Sequence, residues 1–173
     1  MPVIDPEEGF ELNLADFKEM IQQVAFAAST DEARPVLQGV KMDVVDNEIT
    51  LAATDGFRIS VRKETLSSPI PQDISIIIPA RAMNELARIF SDVDKSVRMI
   101  VPAQRGQVIF RLKDAELVSQ LIDGNFPDYK AIIPKSAKTK TIISTPAFHK
   151  ACKQAEVIAR EGNNVIRLDI VPA

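Results

Sequence analysis

The sequence contains few of the residue types on which several common classes of protein depend. Its 173 residues include one cysteine (Cys152), one histidine, one tyrosine and no tryptophan, and only 5% of them are aromatic. A single cysteine excludes an internal disulfide framework and fits a reducing compartment. The shortage of aromatic residues argues against a surface that stacks on bases.

Long hydrophobic runs are also missing. No apolar stretch approaches the ~20 residues that a membrane-spanning helix needs. The first residues lack the basic and then apolar pattern that is typical of a secretion signal. We therefore expect no membrane partner and a cytoplasmic location.

The rest of the composition is typical of a folded, globular protein. Hydrophobic residues make up 46% of the chain and charged residues 26%, with 21 basic and 24 acidic side chains and a formal net charge of −3. The slight overall acidity argues against a protein dedicated to tight nucleic-acid binding, but it leaves room for local basic strips.

A short apolar strand followed by an amphipathic helix occurs three times at a constant interval. The predicted helices begin near Leu14, Ala80 and Pro146, so that 66 residues separate each start from the next. After each of the first two helices, turn-forming residues separate three strand-like runs. The predicted strands are 10–12, 36–45, 48–54 and 57–63 in the first unit, 75–78, 97–101, 107–112 and 116–121 in the second, and 141–143 and 164–171 in the third.

Such a constant interval indicates a duplicated architecture. The sequence predicts an α+β fold, with duplicated β-α-β-β-β units and their two helices side by side on antiparallel sheets. We expect residues 9–123 to form one complete domain and residues 1–8 to be the remnant of a linker from a preceding domain. Residues 140–173 are expected to be a truncated third unit, unless another copy or another protein completes it.

Local signals mark the ends of these elements. Asn13 and Thr145 suit the N-caps of the first and third helices, and Gly162 suits the end of the third. Two-residue hairpin turns are predicted at Asp46-Asn47 and at Asp55-Gly56.

The sequence offers no recognisable catalytic or metal site. His149 lies three residues before Cys152, but the helical period directs His149 outward and Cys152 inward. This arrangement favours a core cysteine over a thiolate nucleophile. No cluster of His and Cys has metal-ligand spacing, and no glycine-rich phosphate loop follows a strand. We expect no catalysis, no metal and no cofactor.

Two longer segments carry a more specific signal. They read ATDGFRIS at residues 53–60 and LIDGNFPDYKAIIPK at residues 121–135. With RPVLQG at residues 34–39 and Ile78-Pro79 in the same order along the chain, they resemble the family of bacterial DNA polymerase III beta subunits, the β sliding clamps. The resemblance extends over nearly the whole chain from Gly9 onward.

The resemblance implies a DNA-clamp fold and a non-catalytic role. Clamps of this family carry three tandem copies of one duplicated domain, and two chains close into a homodimeric ring around duplex DNA. By resemblance, residues 9–123 are the second domain, residues 124–139 connect it to the third, and residues 140–173 begin the third. The implied partners are duplex DNA, contacted at its backbone without sequence preference, and the replicative polymerase and clamp loader, which dock through short peptides.

The resemblance also implies a hydrophobic pocket for those peptides at the junction of the second and third domains. The residues that match the pocket of the family are Leu37, Thr54, Gly56, Phe57, Arg58, Ile59, Pro127 and Ile132. Ala131 stands where many relatives keep an arginine, so one polar anchor is missing. Strand alternation explains Leu37 and Ile59 equally well as core residues.

The helices of the family line the central hole and face DNA. The residues of this chain that match this role are Lys18, Gln22, Arg81, Arg88, Lys150 and Lys153, and Arg34, in the turn before the second strand, is a further candidate to contact the DNA backbone. Without the resemblance, a charged outer helix face is most often only a solvated surface.

Two other functions remain open at this point: a stand-alone peptide-binding scaffold built from one clamp-like domain, and an unrecognised hydrolase. A reading frame that extends beyond both ends favours the clamp over the scaffold, and a hydrolase predicts turnover of nucleotides, nucleic acids or esters. The resemblance also implies that the third-domain wall of the pocket lies beyond Ala173. We therefore expect the chain alone not to encircle DNA, and to bind a Gln-Leu-type clamp-binding peptide only weakly.

Overall fold

The computed structural model describes residues 9–70, 72–90, 95–102, 106–161 and 165–171. The chain divides into a first unit that ends at Tyr129 and a second unit from Lys130 onward. The elements of the first unit are β1 (Phe10–Asn13), α1 (Leu14–Val24), β2 (Gly39–Val45), β3 (Glu48–Thr54), β4 (Ile59–Thr65), β5 (Ile74–Pro79), α2 (Ala80–Ile89), β6 (Ser96–Ile100), β7 (Gln107–Arg111) and β8 (Glu116–Gln120). A short helix, α3 (Tyr129–Ile132), begins at its last residue, and α4 (Thr145–Ala159) lies in the second unit.

The two predicted repeats exchange their first strands. One sheet has the order β1-β6-β7-β8 and the other has the order β4-β3-β2-β5, and every described pair of strands is antiparallel. Thus β1 of the first repeat pairs with β6 of the second, and β5 of the second pairs with β2 of the first. Each four-stranded sheet therefore needs both repeats, which makes the first unit one folding body.

The two helices lie side by side, as the sequence predicts. α1 contacts α2, and both helices pack on the strands. The ring of Phe17 on α1 lies 6.4 Å from the ring of Phe90, the residue that ends α2, and 5.9 Å from the ring of Phe110 on β7. Phe17 therefore joins the two helices and one sheet in a single apolar core.

Of the predicted helix caps, the structure confirms one and contradicts another. Asn13 is the N-cap of α1, where its Oδ1 accepts a hydrogen bond from the N–H of Asp16 at 3.2 Å, which confirms that prediction. The prediction for Thr145 is wrong, because α4 begins at Thr145 and its N-cap is Ser144, whose side chain makes no capping hydrogen bond. Gly162 lies outside the described residues.

All eight strands predicted for the first unit are present, and two of them begin later than predicted. Residues 35–38 form a 3-10 turn, so that β2 begins at Gly39 and not at residue 36. β4 begins at Ile59 and not at residue 57, because four residues and not two connect it to β3. The two-residue turn at Asp46-Asn47 is confirmed, since Val45 pairs directly with Glu48.

The second unit has its predicted helix without the predicted strands. Residues 141–143 and the described part of 164–171 are not strands. A strand needs the hydrogen bonds of a neighbour, and the described residues of this unit provide none. No residue of α4 is buried, and Cys152, predicted to face a core, is partly exposed. Over the described residues, no helix combines the length and apolar character that crossing a membrane requires.

Candidate functional site: the 55–58 loop and the exposed cationic helix faces

Residues 55–58, which we call the 55–58 loop, connect β3 to β4 and contain three of the eight predicted pocket residues, and two more, Thr54 and Ile59, flank the loop. The carboxylate of Asp55 organises this loop. Its Oδ1 accepts hydrogen bonds from the N–H of Phe57 at 2.9 Å and of Arg58 at 3.0 Å, and its Oδ2 accepts one from Arg58 Nε at 3.0 Å. The backbone N–H groups of Arg58 and Phe57 hold the pKa of Asp55 below its usual value. The carboxylate is thus charged and fixed at neutral pH.

A buried threonine completes the loop. Thr54 donates its hydroxyl hydrogen to the carbonyl of Arg58 at 2.8 Å, and its Oγ1 accepts the N–H of Gly56 at 3.0 Å. Over residues 55–58, these side-chain hydrogen bonds take the place of the backbone hydrogen bonds between β3 and β4. The loop therefore has four residues, and the predicted two-residue turn at Asp55-Gly56 is wrong. The turn still depends on the glycine, because φ of Gly56 is +94°.

The ordered loop presents one large apolar side chain. Phe57 is 95% exposed, although the backbone on both sides of it is hydrogen-bonded. Because the loop is already ordered, a partner that contacts this exposed ring pays little conformational entropy to order the loop.

Two arginines tie the 55–58 loop to other segments of the first unit. Arg58 Nη2 donates to the carbonyl of Phe26 at 3.0 Å, and its guanidinium lies 5.5 Å from the centre of the Phe26 ring. Arg34 Nη1 donates to the carbonyl of Asp55 at 3.1 Å, and Arg34 Nε donates to Asp31 Oδ2 at 2.9 Å. Arg34, predicted to face DNA, therefore contacts the loop that carries the predicted peptide residues.

The remaining predicted pocket residues lie in four places. Leu37 belongs to the 3-10 turn that follows Arg34 and is partly buried, and Ile59 is the partly buried first residue of β4. Pro127 is exposed, and its carbonyl accepts the N–H of Tyr129 at 2.8 Å. Ile132 is an exposed residue of the second unit. Of the eight residues, Thr54 to Ile59 are brought together by one loop.

A groove of about 730 Å³ lies between the end of α1 and the start of α2. Phe26, Pro35, Gln38, Arg81 and Glu85 are among its lining residues. Sequence reasoning missed Phe26 and Asp31, which the structure places next to the two arginines. The available signal for Phe26 was an apolar residue outside the buried stripe of α1, and it is 58% exposed.

The other residues predicted to face DNA stay accessible on three helices. On α1, Lys18 is partly exposed and Gln22 is exposed, and on α2 both Arg81 and Arg88 are exposed. Arg88 meets Glu85 at 3.5 Å, a distance and exposure at which the ion pair contributes little. On α4, the exposed side chains are those of Lys150 and Lys153.

Comparisons with known proteins show which proteins this chain resembles. The family model described as "DNA polymerase III beta subunit, central domain" matches residues 11–128. The beta sliding clamp of Bacillus subtilis (strain 168) is 36% identical over 174 residues, which cover 100% of this chain and 46% of the relative. That of Staphylococcus aureus (strain N315) is 34% identical over 169 residues, 97% of this chain and 44% of the relative.

Solved structures give the same result for the fold. The DNA polymerase III beta chain of Streptococcus pneumoniae TIGR4 superposes with a TM-score of 0.86 at 28% identity, over 95% of this chain and 43% of that one. The DNA polymerase sliding clamp of Bacillus subtilis superposes with a TM-score of 0.86 at 34% identity, over 94% and 42%. The chain thus spans less than half the length of these relatives.

The family match agrees with the two four-stranded sheets, the exchange of their first strands and the paired helices. The matched residues make up more than half of the chain, and the predicted α+β clamp fold is confirmed. The chain belongs to the DNA polymerase III beta subunit family, the β sliding clamps.

Proposed function

We propose that this chain is part of a sliding clamp of a bacterial replicative polymerase, a non-catalytic protein that tethers the polymerase to duplex DNA. Its sequence relatives are named beta sliding clamps, and it spans less than half of their length. Residues 9–123 are then the second of three clamp domains, residues 124–139 the connector and residues 140–173 the start of the third. A complete chain pairs with a second copy in the cytoplasm to close the ring.

The observation that carries the peptide-docking part of this proposal is the order of the 55–58 loop. An extended peptide needs exposed apolar contacts and accessible backbone groups on a surface that does not have to rearrange. Phe57 supplies the apolar contact, and Gly56 leaves the backbone accessible. Asp55 and Thr54 hold both in place.

The proposal for DNA rests on the exposed cations of α1 and α2. Because the two helices lie side by side, Lys18, Arg81 and Arg88 belong to one layer of the first unit. Scattered lysine and arginine side chains contact phosphates without reading bases. Each phosphate contact strengthens binding to DNA. A sparse set of such contacts therefore suits a protein that is held by ring topology and must still slide.

A titration monitored by amide NMR tests the docking site. Adding a short Gln-Leu-type peptide to the isotope-labelled chain is expected to move the amide resonances of residues 54–59 and of Leu37, with weak, saturable binding. Phe57→Ala is expected to weaken this binding by about tenfold, the effect of losing one well-packed interface side chain worth about 1.4 kcal/mol.

Val118→Ala is the matched control, because Val118 is also an exposed apolar side chain (52%) but lies on β8. We expect this variant to bind the peptide as the parent chain does. Resonance changes confined to other surfaces, or equal binding by Phe57→Ala, would contradict the proposed docking site.

A further inference from the structure

The peptide unit between Asp55 and Gly56 is held at both of its ends. Its carbonyl, that of Asp55, accepts a hydrogen bond from Arg34 Nη1 at 3.1 Å. Its N–H, that of Gly56, donates to Thr54 Oγ1 at 3.0 Å. The first of these partners comes from a segment that is distant in sequence, and the second is the neighbouring residue.

We propose that Arg34 is a positioning residue of the peptide-docking site, which fixes the orientation of the Asp55–Gly56 peptide unit. This proposal rests on the proposed docking function of the 55–58 loop. It assigns to Arg34 a role in peptide binding, whereas the family resemblance assigns it to the DNA-facing set.

The conformational freedom of Gly56 explains why the loop needs the hydrogen bond from Arg34. Glycine occupies positive and negative φ with similar ease, so sterics alone do not fix the peptide plane that precedes it. Gly56 has φ of +94°, one of several conformations open to it. A donor on the carbonyl of Asp55 selects one orientation of this plane, and with it the direction of the backbone that carries Phe57.

Asp31 in turn orients Arg34. Its Oδ2 binds Arg34 Nε at 2.9 Å, and its Oδ1 accepts the N–H of Ala33 at 3.0 Å. The N–H of Ala33, followed by the side chain of Arg34, holds the pKa of Asp31 below its usual value. The carboxylate is therefore charged, and it directs the guanidinium so that Nη1 reaches the loop.

The hydrogen bond from Arg34 to Asp55 acts locally, so we expect Arg34 to position the loop and not to stabilise the whole fold. The side chains of Arg34 and Asp31 are 44% and 46% exposed, and ion pairs with this exposure contribute little to global stability. Removing Arg34 should therefore disturb the loop and leave the fold intact.

The test uses the full 173-residue chain and the variant Arg34→Ala, with Arg88→Ala as the matched control. Arg88 is also an exposed arginine three residues after its acidic partner, Glu85, but it lies on α2. Two quantities are measured: amide hydrogen exchange of Gly56 and Phe57 without peptide, and affinity for the Gln-Leu-type peptide. The melting temperature of each variant serves as the measure of global stability.

We expect Arg34→Ala to speed exchange of both amides and to weaken peptide binding by about threefold to tenfold, the effect of losing one hydrogen bond to a charged donor. Its melting temperature should stay within about 3 °C of the parent value, since substitution of an exposed side chain changes global stability little. Arg88→Ala should change neither exchange nor affinity. In Asp31→Ala/Arg34→Ala, affinity should equal that of Arg34→Ala, because Asp31 acts through Arg34.

Unchanged exchange in Arg34→Ala, or unchanged peptide affinity beside faster exchange, would overturn the proposal. Equal losses of affinity in Arg34→Ala and Arg88→Ala would also overturn it, because they indicate a general effect of positive charge. If the parent chain binds no peptide, the docking function fails. The exchange measurement distinguishes that failure from the failure of the Arg34 tie, since it requires no peptide.

Discussion

Gly56 occupies a backbone conformation that residues with a side chain rarely adopt. Its φ is +94°, and a Cβ atom at this position would lie 3.2 Å from Arg34 Nη1. We expect Gly56→Val to destabilise the chain by about 1–3 kcal/mol, because a β-branched residue is strained at positive φ. Chemical denaturation measures the loss, and Gly56→Asn, which tolerates positive φ better, should cost less. Equal stability of the parent chain and the valine variant would contradict the assigned conformation of the turn.

The Asp55 carboxylate gives the 55–58 loop a defined dependence on pH. Its pKa in the folded chain lies below 3.8, the usual value, because the N–H groups of Arg58 and Phe57 donate to it. A group with a lowered pKa stabilises the folded state fully above its unfolded pKa, and that contribution is lost as pH falls through the folded pKa. We therefore expect the Phe57 amide resonance to titrate with a midpoint below pH 3.8.

The variant Asp55→Asn is the control for this titration. It should lose the transition of the Phe57 amide, whereas Asp31→Asn should retain it, since Asp31 does not bond to that amide. A midpoint at or above 3.8 in the parent chain would contradict the hydrogen bonds assigned to Asp55.

At the scale of residues, the sequence marked the loop of the proposed docking site but did not describe its bonding. The segment at residues 53–60 marked the loop by resemblance. The Asp-Gly pair, however, predicted a two-residue hairpin, because local turn statistics do not include the bonds that Thr54 and Asp55 make within the loop. The contact of Arg34 with Asp55 spans 21 positions along the chain, and no local pattern contains it.

At the scale of elements, one apolar core joins the two helices, and its centre is Phe17. Phe17 on α1 is 2% exposed and contacts the rings of Phe90 and Phe110. We expect Phe17→Ala to cost about 3–5 kcal/mol of unfolding free energy, through lost apolar burial and the cavity left behind. The exposed Gln22→Ala on the same helix should change it by about 0.5 kcal/mol or less. Denaturation curves of both variants measure the difference, and a loss of under about 1 kcal/mol for Phe17→Ala would contradict this packing.

The helix of the second unit, α4, should differ from α1 in the rate of amide hydrogen exchange. α4 buries none of its residues, whereas α1 buries five of its eleven. Helical stability in proteins comes mainly from packing of an apolar face. We therefore expect the amides of α4 to exchange much faster than those of α1 in the 173-residue chain. Equal protection of the two helices would show that α4 is covered in solution.

The helices were more predictable than the sheets. The 3.6-residue period of apolar side chains and the cap at Asn13 are local signals, and they gave the start of α1 correctly. Sheet partners are non-local. The pairing of β1 with β6 across 83 or more positions and the exchange of first strands were not contained in any window of sequence. The absence of strands at residues 141–143 and in the described part of 164–171 has the same cause, since an extended pattern forms a strand only beside a partner.

At the scale of the whole molecule, duplication gives the first unit its functional layout. Each repeat supplies one helix and three consecutive strands, and the exchanged strands bind the repeats into one body. This brings α1 and α2, with Lys18, Arg81 and Arg88, into one layer. The 66-residue interval predicted this layout from the sequence, and the comparisons supplied the family to which it belongs.

We have proposed that residues 9–123 act as one domain of a DNA-encircling ring. The most direct test places them in the sliding clamp of Bacillus subtilis, a 36% identical relative, in exchange for the segment that aligns with them. After loading on nicked circular plasmid, the chimera should stay with the DNA through gel filtration and should be released when the plasmid is cut into a linear form. The 173-residue chain alone is expected to be retained on neither form. A correctly assembled chimera that leaves the circular plasmid as readily as the linear one would contradict the claim.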